Sequence, residues 1–254
     1  MKLERQDGVG ILAIDTEHHN AVNPDFIQEA HRWMDEVEHD PTIRALVVTS
    51  THKSVFCPGI DLPLLLTYSR TEMRAFFEGI NGLAHRKFIF AKPEVYALNG
   101  HTIAAGCILA LTGDYRLMTR GQFYFGLIEI NLGMAVSAGM VEMLRDVLGS
   151  QAAEQVLGSG ENYLPDKAVE MGLVNEVVDG EMLMARALEQ ARALGEKPQM
   201  AYRTVKRYAR QAVVERMREL DAAYVDDLVN LWFSEETQGR LAATLERLRK
   251  KKAG

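Results

Sequence analysis

Short aliphatic segments alternate with segments of helical periodicity over the first two-thirds of the chain, and this alternation limits the fold more than any other feature. Residues 9–15, 45–49 and 94–98 are rich in aliphatic side chains and have the length of strands. Between the first two, Asn23 and Pro24 are residue types that begin a helix, and apolar side chains follow at helical spacing. A helix between two nearly continuous apolar strands predicts parallel strands that are buried on both faces. The fold class is therefore expected to be α/β.

The pattern becomes helical in the last third of the chain. Residues 174–178 form the last predicted strand, and every later segment has helical periodicity. Breaks are expected near Pro198 and Gly239, because proline and glycine are the poorest helix formers. We therefore predict an α/β core with the functional site over residues 1–198, and a helical region for packing or subunit contact over residues 199–254.

Composition and charge exclude several classes of protein. The 254 residues are 47% hydrophobic and 25% charged, which is ordinary for a globular chain, and the net charge of −6 argues against nucleic-acid binding as the main role. The cysteines, Cys57 and Cys107, have no metal-ligand spacing, and the N-terminus has no apolar leader. Residues 95–113 and 121–141 carry little charge but contain polar residues, so we interpret them as buried core. We expect a cytoplasmic protein that binds neither nucleic acid nor membrane.

One carboxylate is conspicuous in the second of these stretches. Glu129 is the only charged residue between Gly121 and Val141, and its neighbours include Phe, Leu and Ile. Burial among such side chains disfavours the charged form of a carboxyl and raises its pKa toward neutrality, which suits a general acid–base. The alternative is a glutamate at a strand edge that points to solvent, since Glu is seldom fully buried without a partner.

Two loops form a second candidate feature. Residues 56–61 and 99–107 each follow a predicted strand, open a predicted helix and contain glycine. Backbone N–H groups at a helix start are unpaired, so two such loops facing each other can hold one carbonyl oxygen. Pro58 has no N–H, so the first loop must donate from Gly59 or Ile60. The alternative is that both are ordinary turns, and neither contains a glycine-rich nucleotide motif.

Four segments carry a resemblance to a known family. VFCPGIDL at residues 55–62 and NGHTIAAGCILALTGDYRL at residues 99–117 resemble the two oxyanion segments of the crotonase (enoyl-CoA hydratase/isomerase) superfamily. FGLIEINLGM and LPDKAVEMGLVNEVV follow in the family's order, and the resemblance extends over essentially the whole chain. It implies a crotonase-like spiral of ββα units and a C-terminal helical region that serves oligomerisation or covers CoA. It also implies an acyl-CoA thioester substrate, no metal, no cofactor besides the CoA of the substrate, and a homotrimer or dimer of trimers.

The resemblance assigns roles to individual residues. It implies that the N–H groups of Ile60 and Ala105 hold the thioester oxygen while an enolate forms, and that Glu129 is the acid–base. The family often has glycine where Ala105 stands, and alanine keeps the N–H but has less backbone freedom. The residues implied to contact substrate or CoA are Ala21, Val22, Gly59, Asp61 and Ala104. A helix cap is the alternative role for Asp61.

The number of carboxylates distinguishes reactions within the family. Its hydratases carry a second glutamate at the position that Ile108 occupies here, so only Glu129 is present in this chain. Water addition needs groups that activate the water and deliver a proton, whereas moving a double bond needs one base that takes a proton from C2 and returns it at C4. The chain therefore resembles most the mitochondrial-type Δ3,Δ2-enoyl-CoA isomerases. The alternatives are a hydratase working with one glutamate, another acyl-CoA enzyme of this fold, or a non-catalytic acyl-CoA-binding protein.

Three further features are less specific. His101 lies beside the second loop and either contacts CoA or braces the backbone. His18 and His19 have no metal-ligand spacing with the other histidines. The basic residues in 247–252 either meet CoA phosphates or are solvated. A mature form in an organelle matrix would have the same sequence features as a cytoplasmic protein.

Overall fold

Strands and helices alternate from the start of the chain to residue 178, and helices follow. The computed structural model describes residues 1–17 and 19–253, except for the side chains of residues 249 and 251–253. In this part of the chain the strands are β1 (Lys2–Gln6), β2 (Val9–Ile14), β3 (Ala45–Ser50), β4 (Val55–Cys57), β5 (Glu94–Leu98), β6 (His101–Ile103), β7 (Tyr115–Thr119), β8 (Phe125–Gly126), β9 (Asn162–Tyr163) and β10 (Glu176–Val178). The helices are α1 (Pro24–His39), α2 (Leu62–Leu65), α3 (Arg70–Phe88), α4 (Ala105–Leu111), α5 (Ala138–Leu148), α6 (Ser150–Ser159), α7 (Pro165–Glu170), α8 (Leu183–Gly195), α9 (Gln199–Trp232) and α10 (Glu235–Ala253), with 3-10 helices at Glu129–Leu132 and Gly180–Met182.

The larger sheet has the strand order β1-β2-β3-β5-β7-β10. β1 is antiparallel to β2, whereas the other neighbouring strands are parallel. The predicted helix between parallel strands is confirmed, because α1 connects β2 to β3 and begins at Pro24. Asn23 caps it, with its Oδ1 atom 2.9 Å from the Phe26 nitrogen. β1 escapes sequence-based prediction, since its residues KLERQ are mainly charged and exposed and show no apolar alternation.

The smaller sheet, of order β4-β6-β8-β9, brings together the segments that were predicted to be functional. β4, β6 and β8 are parallel neighbours of only two or three residues each. β4 leads to Gly59 and Ile60, β6 to Ala104 and Ala105, and β8 to Glu129. Because parallel strands end at the same edge of a sheet, these three loops emerge side by side.

The last part of the chain is helical, as predicted, but one break differs in position. The break expected near Gly239 is wrong: it falls at Phe233 and Ser234, and Gly239 lies within α10. Ser234 Oγ accepts the N–H of Thr237 at 3.2 Å, so a side-chain cap begins the new helix. A single glycine costs a helix only about 1 kcal/mol, which this cap and tertiary packing outweigh.

One continuous core joins the strands to the long helix α9. The same cluster of buried side chains includes Leu98 of β5 and Trp232 of α9, and α9 packs against α3 and α5. The division into residues 1–198 and 199–254 remains a prediction. None of the described helices is both long enough and apolar enough to span a membrane.

Candidate active site

The loop after β4 presents an unpaired backbone donor at Ile60. Val22 and Ile60 face each other as in a parallel ladder: the Val22 N–H donates to the Gly59 carbonyl at 2.8 Å, and the Asp61 N–H donates to the Val22 carbonyl at 2.9 Å. In this pattern the N–H of the middle residue, Ile60, points away from Val22. It has no acceptor among the described residues, so it is free to bind an oxygen from outside the chain.

The loop after β6 presents a second unpaired donor, at Ala105. This residue opens α4, and in the described part of the chain its N–H has no acceptor, as is usual in a first helical turn. Ala104 has a φ of +52°, a conformation that costs residues other than glycine about 1–3 kcal/mol. The Ala104 N–H donates to the Gly126 carbonyl at 2.8 Å, which holds the loop on β8. The strained conformation thus lies at Ala104, one residue before the donor.

Glycines bring the two loops into contact. A methyl group placed on Gly59, whose φ is +110°, would lie 3.1 Å from the Ala104 Cβ and 3.9 Å from the Ala105 nitrogen. A methyl group on Gly106 would lie 2.5 Å from the Cys57 carbonyl oxygen, which is too close for a real contact. Glycine at both positions therefore lets α4 approach β4 until the two unpaired N–H groups lie in adjoining loops.

Glu129 begins the 3-10 helix that follows β8. Its Oε2 atom is buried and has no hydrogen-bond partner in the described structure, although the residue as a whole is partly exposed. Burial raises the pKa of this carboxyl from its ordinary 4.5 to about 7, and the backbone N–H groups of Ile128 and Glu129 act in the opposite direction. The carboxyl group is thus buried, as its apolar neighbours predict, and is not directed to solvent.

Helix α4 lies beside the Glu129 carboxyl. Burial raises the pKa of the Cys107 thiol well above its ordinary value, and the charge of Glu129 adds to the rise, which requires the two groups to be close. Ile108 is buried one turn after Ala105 on the same face of α4. Its side chain has no group that can move a proton.

Asn20 has a structural role in this region that its place in a predicted turn does not reveal. It is fully buried, and its side-chain amide donates to Ser50 Oγ at 2.8 Å and to the Phe56 carbonyl at 3.0 Å. These bonds fix the turn before Ala21 and Val22 against the start of β4. In the sequence Asn20 appears only as an asparagine in the turn-like segment NAVNP. Such a segment also fits an exposed turn, so it does not indicate that the side chain is buried.

Asp61 and His101 both form hydrogen bonds with other residues of this chain. The buried Asp61 carboxylate accepts the Leu64 N–H at 3.3 Å and an Asn23 amide hydrogen at 3.4 Å, so its role as a helix cap is confirmed. His101 Nδ1 accepts the Tyr124 N–H at 3.1 Å, which braces the backbone beside β6.

The remaining predicted contacts with CoA stay predictions. Ala21 and Val22 are buried next to Gly59, and no bound molecule tests their role. Part of the basic tail and His18 lie outside the described residues.

A carbonyl oxygen that gains negative charge is stabilised by N–H donors held in fixed positions, and a carboxyl that titrates near neutrality moves protons readily. A fold that places two such donors and such a carboxyl in adjoining loops is suited to acid–base chemistry on a carbonyl compound. The chain belongs to the enoyl-CoA hydratase/isomerase family, whose sequence profile matches residues 4–250.

Individual relatives include both of the activities in that family's name. The human protein "Enoyl-CoA delta isomerase 1, mitochondrial" is 28% identical over 96% of this chain and 82% of its own length. The crotonyl-CoA hydratase of Syntrophomonas wolfei is 29% identical over 93% of this chain and 90% of its own. The crystal structure of human mitochondrial delta3-delta2-enoyl-CoA isomerase superimposes with a TM-score of 0.94, at 27% identity, over 99% of this chain and 98% of that one. The predicted family and crotonase-type fold are confirmed, while sequence identity is nearly equal for an isomerase and a hydratase.

Proposed function

We propose that this protein is an isomerase that converts 3-enoyl-CoA to 2-trans-enoyl-CoA. The thioester oxygen accepts hydrogen bonds from the N–H groups of Ile60 and Ala105. Glu129 takes a proton from C2 and returns it at C4. Membership of the enoyl-CoA hydratase/isomerase family supports an acyl-CoA thioester as the substrate.

The observation that carries this proposal is the lone carboxyl of Glu129 beside an apolar turn of α4. Its pKa of about 7 keeps the base and acid forms in similar amounts at neutral pH. Ile108, on the face of α4 that also carries Ala105, supplies no second acid or base. One group that alternates between base and acid is sufficient for a proton to leave one carbon and arrive at another.

The chemistry balances without an additional reagent. When the C2–H bond breaks, its electron pair spreads over a dienolate that extends from the thioester oxygen to C4. Each fixed donor to such an oxyanion is worth about 3 kcal/mol in comparable sites. The protonated Glu129 then gives its proton to C4, and the new double bond lies between C2 and C3. No electron is gained or lost, so the proposed reaction requires no redox cofactor. We propose no metal either, because the two N–H donors stabilise the oxyanion, and CoA enters as part of the substrate.

The family resemblance also leads us to propose how the protein is assembled and where it works. We expect a homotrimer or a dimer of trimers, with the helical region of residues 199–254 at subunit contacts or over CoA. A cytoplasmic or organelle-matrix location fits this metabolism of soluble CoA thioesters. Light scattering of the purified protein measures the mass of the assembly and tests the first point.

Hydration of 2-enoyl-CoA is the second candidate function, favoured by the similar identity to hydratases. The purified protein is therefore assayed with 3-enoyl-CoA and, separately, with 2-enoyl-CoA, and the absorbance of the conjugated thioester is followed. An isomerase increases the absorbance from the first substrate and barely decreases it from the second. Faster loss of absorbance from 2-enoyl-CoA than gain from 3-enoyl-CoA would establish the hydratase instead.

A substitution at Glu129 tests the assigned base directly. Glu129→Gln keeps the shape of the side chain but removes its acid–base capacity, and a loss of about 10²–10⁴-fold in kcat is expected. Glu181→Gln, at an exposed position in the second 3-10 helix, is the matched control and should leave the rate unchanged. Full activity of Glu129→Gln would show that another group moves the proton.

A further inference from the structure

Helix α10 lies against the 3-10 turn that carries Glu129. The Thr237 hydroxyl of α10 donates to the Gly133 carbonyl at 2.8 Å, and Thr237 is only 1% exposed. One turn further along α10, an Arg240 guanidinium nitrogen lies 3.4 Å from the Asn131 carbonyl oxygen. The turn is thus bonded to a helix more than a hundred residues away in the sequence.

The direction of the Thr237 hydroxyl is fixed by Ser234. Ser234 Oγ donates to Thr237 Oγ1 at 2.9 Å and accepts the Thr237 N–H at 3.2 Å. Because the Ser234 proton already points to Thr237 Oγ1, the Thr237 proton is directed to the Gly133 carbonyl. A threonine in this arrangement is a specific donor and not only a space-filling side chain.

Gly133 connects this bond to the backbone of Glu129. It ends the 3-10 helix with a φ of +73°, and the following N–H, of Met134, donates to the Glu129 carbonyl at 2.9 Å. A methyl group on Gly133 would lie 2.9 Å from Thr237 Oγ1, so the close approach needs glycine. The Gly133 carbonyl and the Met134 N–H belong to the same peptide unit. The group that Thr237 binds is therefore directly connected to a hydrogen bond with the backbone of Glu129.

The Glu129 carboxyl depends on this backbone for its position. Its buried Oε2 has no hydrogen bond that would orient it within the described structure. On its other side the turn is held by the Asn131 side-chain amide, which donates to the Gly160 carbonyl at 2.6 Å. Loss of the α10 side would leave fewer contacts to hold the turn, which should let it move and admit water to the carboxyl.

We propose that Thr237 is a positioning residue: its hydrogen bond to Gly133 holds the turn so that Glu129 stays dry and aimed at the substrate carbon. This inference rests on the proposed function for its effect on rate. The anchor itself is a property of the fold and can be measured without substrate.

Thr237→Val tests the inference, because it keeps the branched shape and removes the hydroxyl. A misplacement of the base by a fraction of an ångström predicts a kcat lower by roughly 10-fold to 100-fold at unchanged KM. Added water lowers the pKa of Glu129 toward its ordinary value, so the acidic limb of the kcat/KM profile moves to lower pH by about half a unit or more. Thr237→Ser keeps the hydroxyl donor, so its kcat and its pH profile should match those of the wild type. Thr244→Val, the same change elsewhere on α10, should alter neither.

A few other ionisable groups lie on the elements packed against this turn. The charged or titratable side chains on α4, on α6 and in the first two turns of α10 are Cys107, Glu154, Glu235, Glu236 and Arg240. Glu154 and Glu236 each pair with an arginine, at 3.3 Å and 2.9 Å, and burial raises the pKa of Cys107 far above neutrality. Glu235 is exposed at the start of α10.

Hydrogen exchange separates a failure of the anchor from a failure of the proposed function. Thr237→Val should speed amide exchange in residues 129–134 whichever reaction the protein catalyses. An unchanged rate of amide exchange would overturn the inference. So would a fall in Tm if kcat and the position of the acidic limb of the pH profile stay the same. Faster exchange in a protein that lacks isomerase activity would leave the anchor intact and reject the proposed function. If Thr237→Val does not fold, Ser234→Ala, which releases the orientation of the hydroxyl, should produce the same changes to a smaller degree, and no change would overturn the inference.

Discussion

Replacing Glu129 with glutamine should make the protein more stable above neutral pH while it removes activity. Burial raises the pKa of Glu129 from 4.5 in the unfolded chain to about 7 in the folded one. Because each pKa unit is worth about 1.4 kcal/mol, this rise corresponds to a folded state that is about 3 kcal/mol less stable once the carboxyl is ionised. Glutamine has a similar shape and no charge, so Glu129→Gln lacks the destabilisation that comes from burying an ionised carboxylate.

The sign of the effect fixes its pH window. Between pH 4.5 and about 7 the folded protein binds more protons at this site than the unfolded chain does, so the stability of the wild type falls as the pH rises. The difference between Glu129→Gln and the wild type should be small at pH 4.5, grow through this window, and level off near 3 kcal/mol at about pH 8.

Equilibrium unfolding in urea at a fixed protein concentration measures this difference, since the concentration matters for an oligomer. The wild type, Glu129→Gln and the exposed control Glu181→Gln are compared at pH 4.5, 6 and 8. Only Glu129→Gln should gain stability with rising pH. Equal stability of Glu129→Gln and the wild type at pH 8 would refute the idea that burial sets the pKa of this carboxyl.

Two further predictions concern packing and charge in the core. Gly106→Ala places a methyl group 2.5 Å from the Cys57 carbonyl oxygen, so α4 must shift. We expect a loss of about 1–3 kcal/mol of stability, which is typical of overpacking, and a fall in kcat because the Ala105 N–H moves with α4. Gly158→Ala, in the open part of α6, should keep full activity and gain up to about 1 kcal/mol in urea unfolding. Lys87→Met leaves the fully buried Glu94 without the ammonium that now lies 2.6 Å away, so about 3–5 kcal/mol of stability should be lost, and a loss below about 1 kcal/mol would show that water or another donor compensates Glu94.

Local patterns in the sequence are sufficient to predict the elements of the site. Glu129 stands alone in a long uncharged stretch, and burial of its carboxyl follows from that composition. The loops that contain Ile60 and Ala105 are recognisable because each follows an apolar strand and opens a helix. Short-range signals of this kind depend on residues only a few positions apart, and a single sequence displays them directly.

Features that depend on distant contacts are not visible in this way. The positive φ at Ala104 occurs where β4 and α4 approach closely, and alanine itself does not predict it. The bond from Thr237 to Gly133 joins residues 104 positions apart, and no periodicity links them. The misplaced helix break near Gly239 has a similar cause, because local propensity is weaker than a cap and tertiary packing.

The short parallel strands β4, β6 and β8 have a consequence for how such a site changes over evolutionary time. Hydrogen-bonded strands lie about 4.8 Å apart, so the three loops begin within roughly 10 Å of each other. Backbone hydrogen bonds set that distance, and it survives replacement of side chains along the strands. A lineage can therefore exchange the acid–base groups at positions such as Ile108 while the two N–H donors stay in place. Under the proposed mechanism, single substitutions would then change the reaction type while the backbone geometry that binds the carbonyl stays the same.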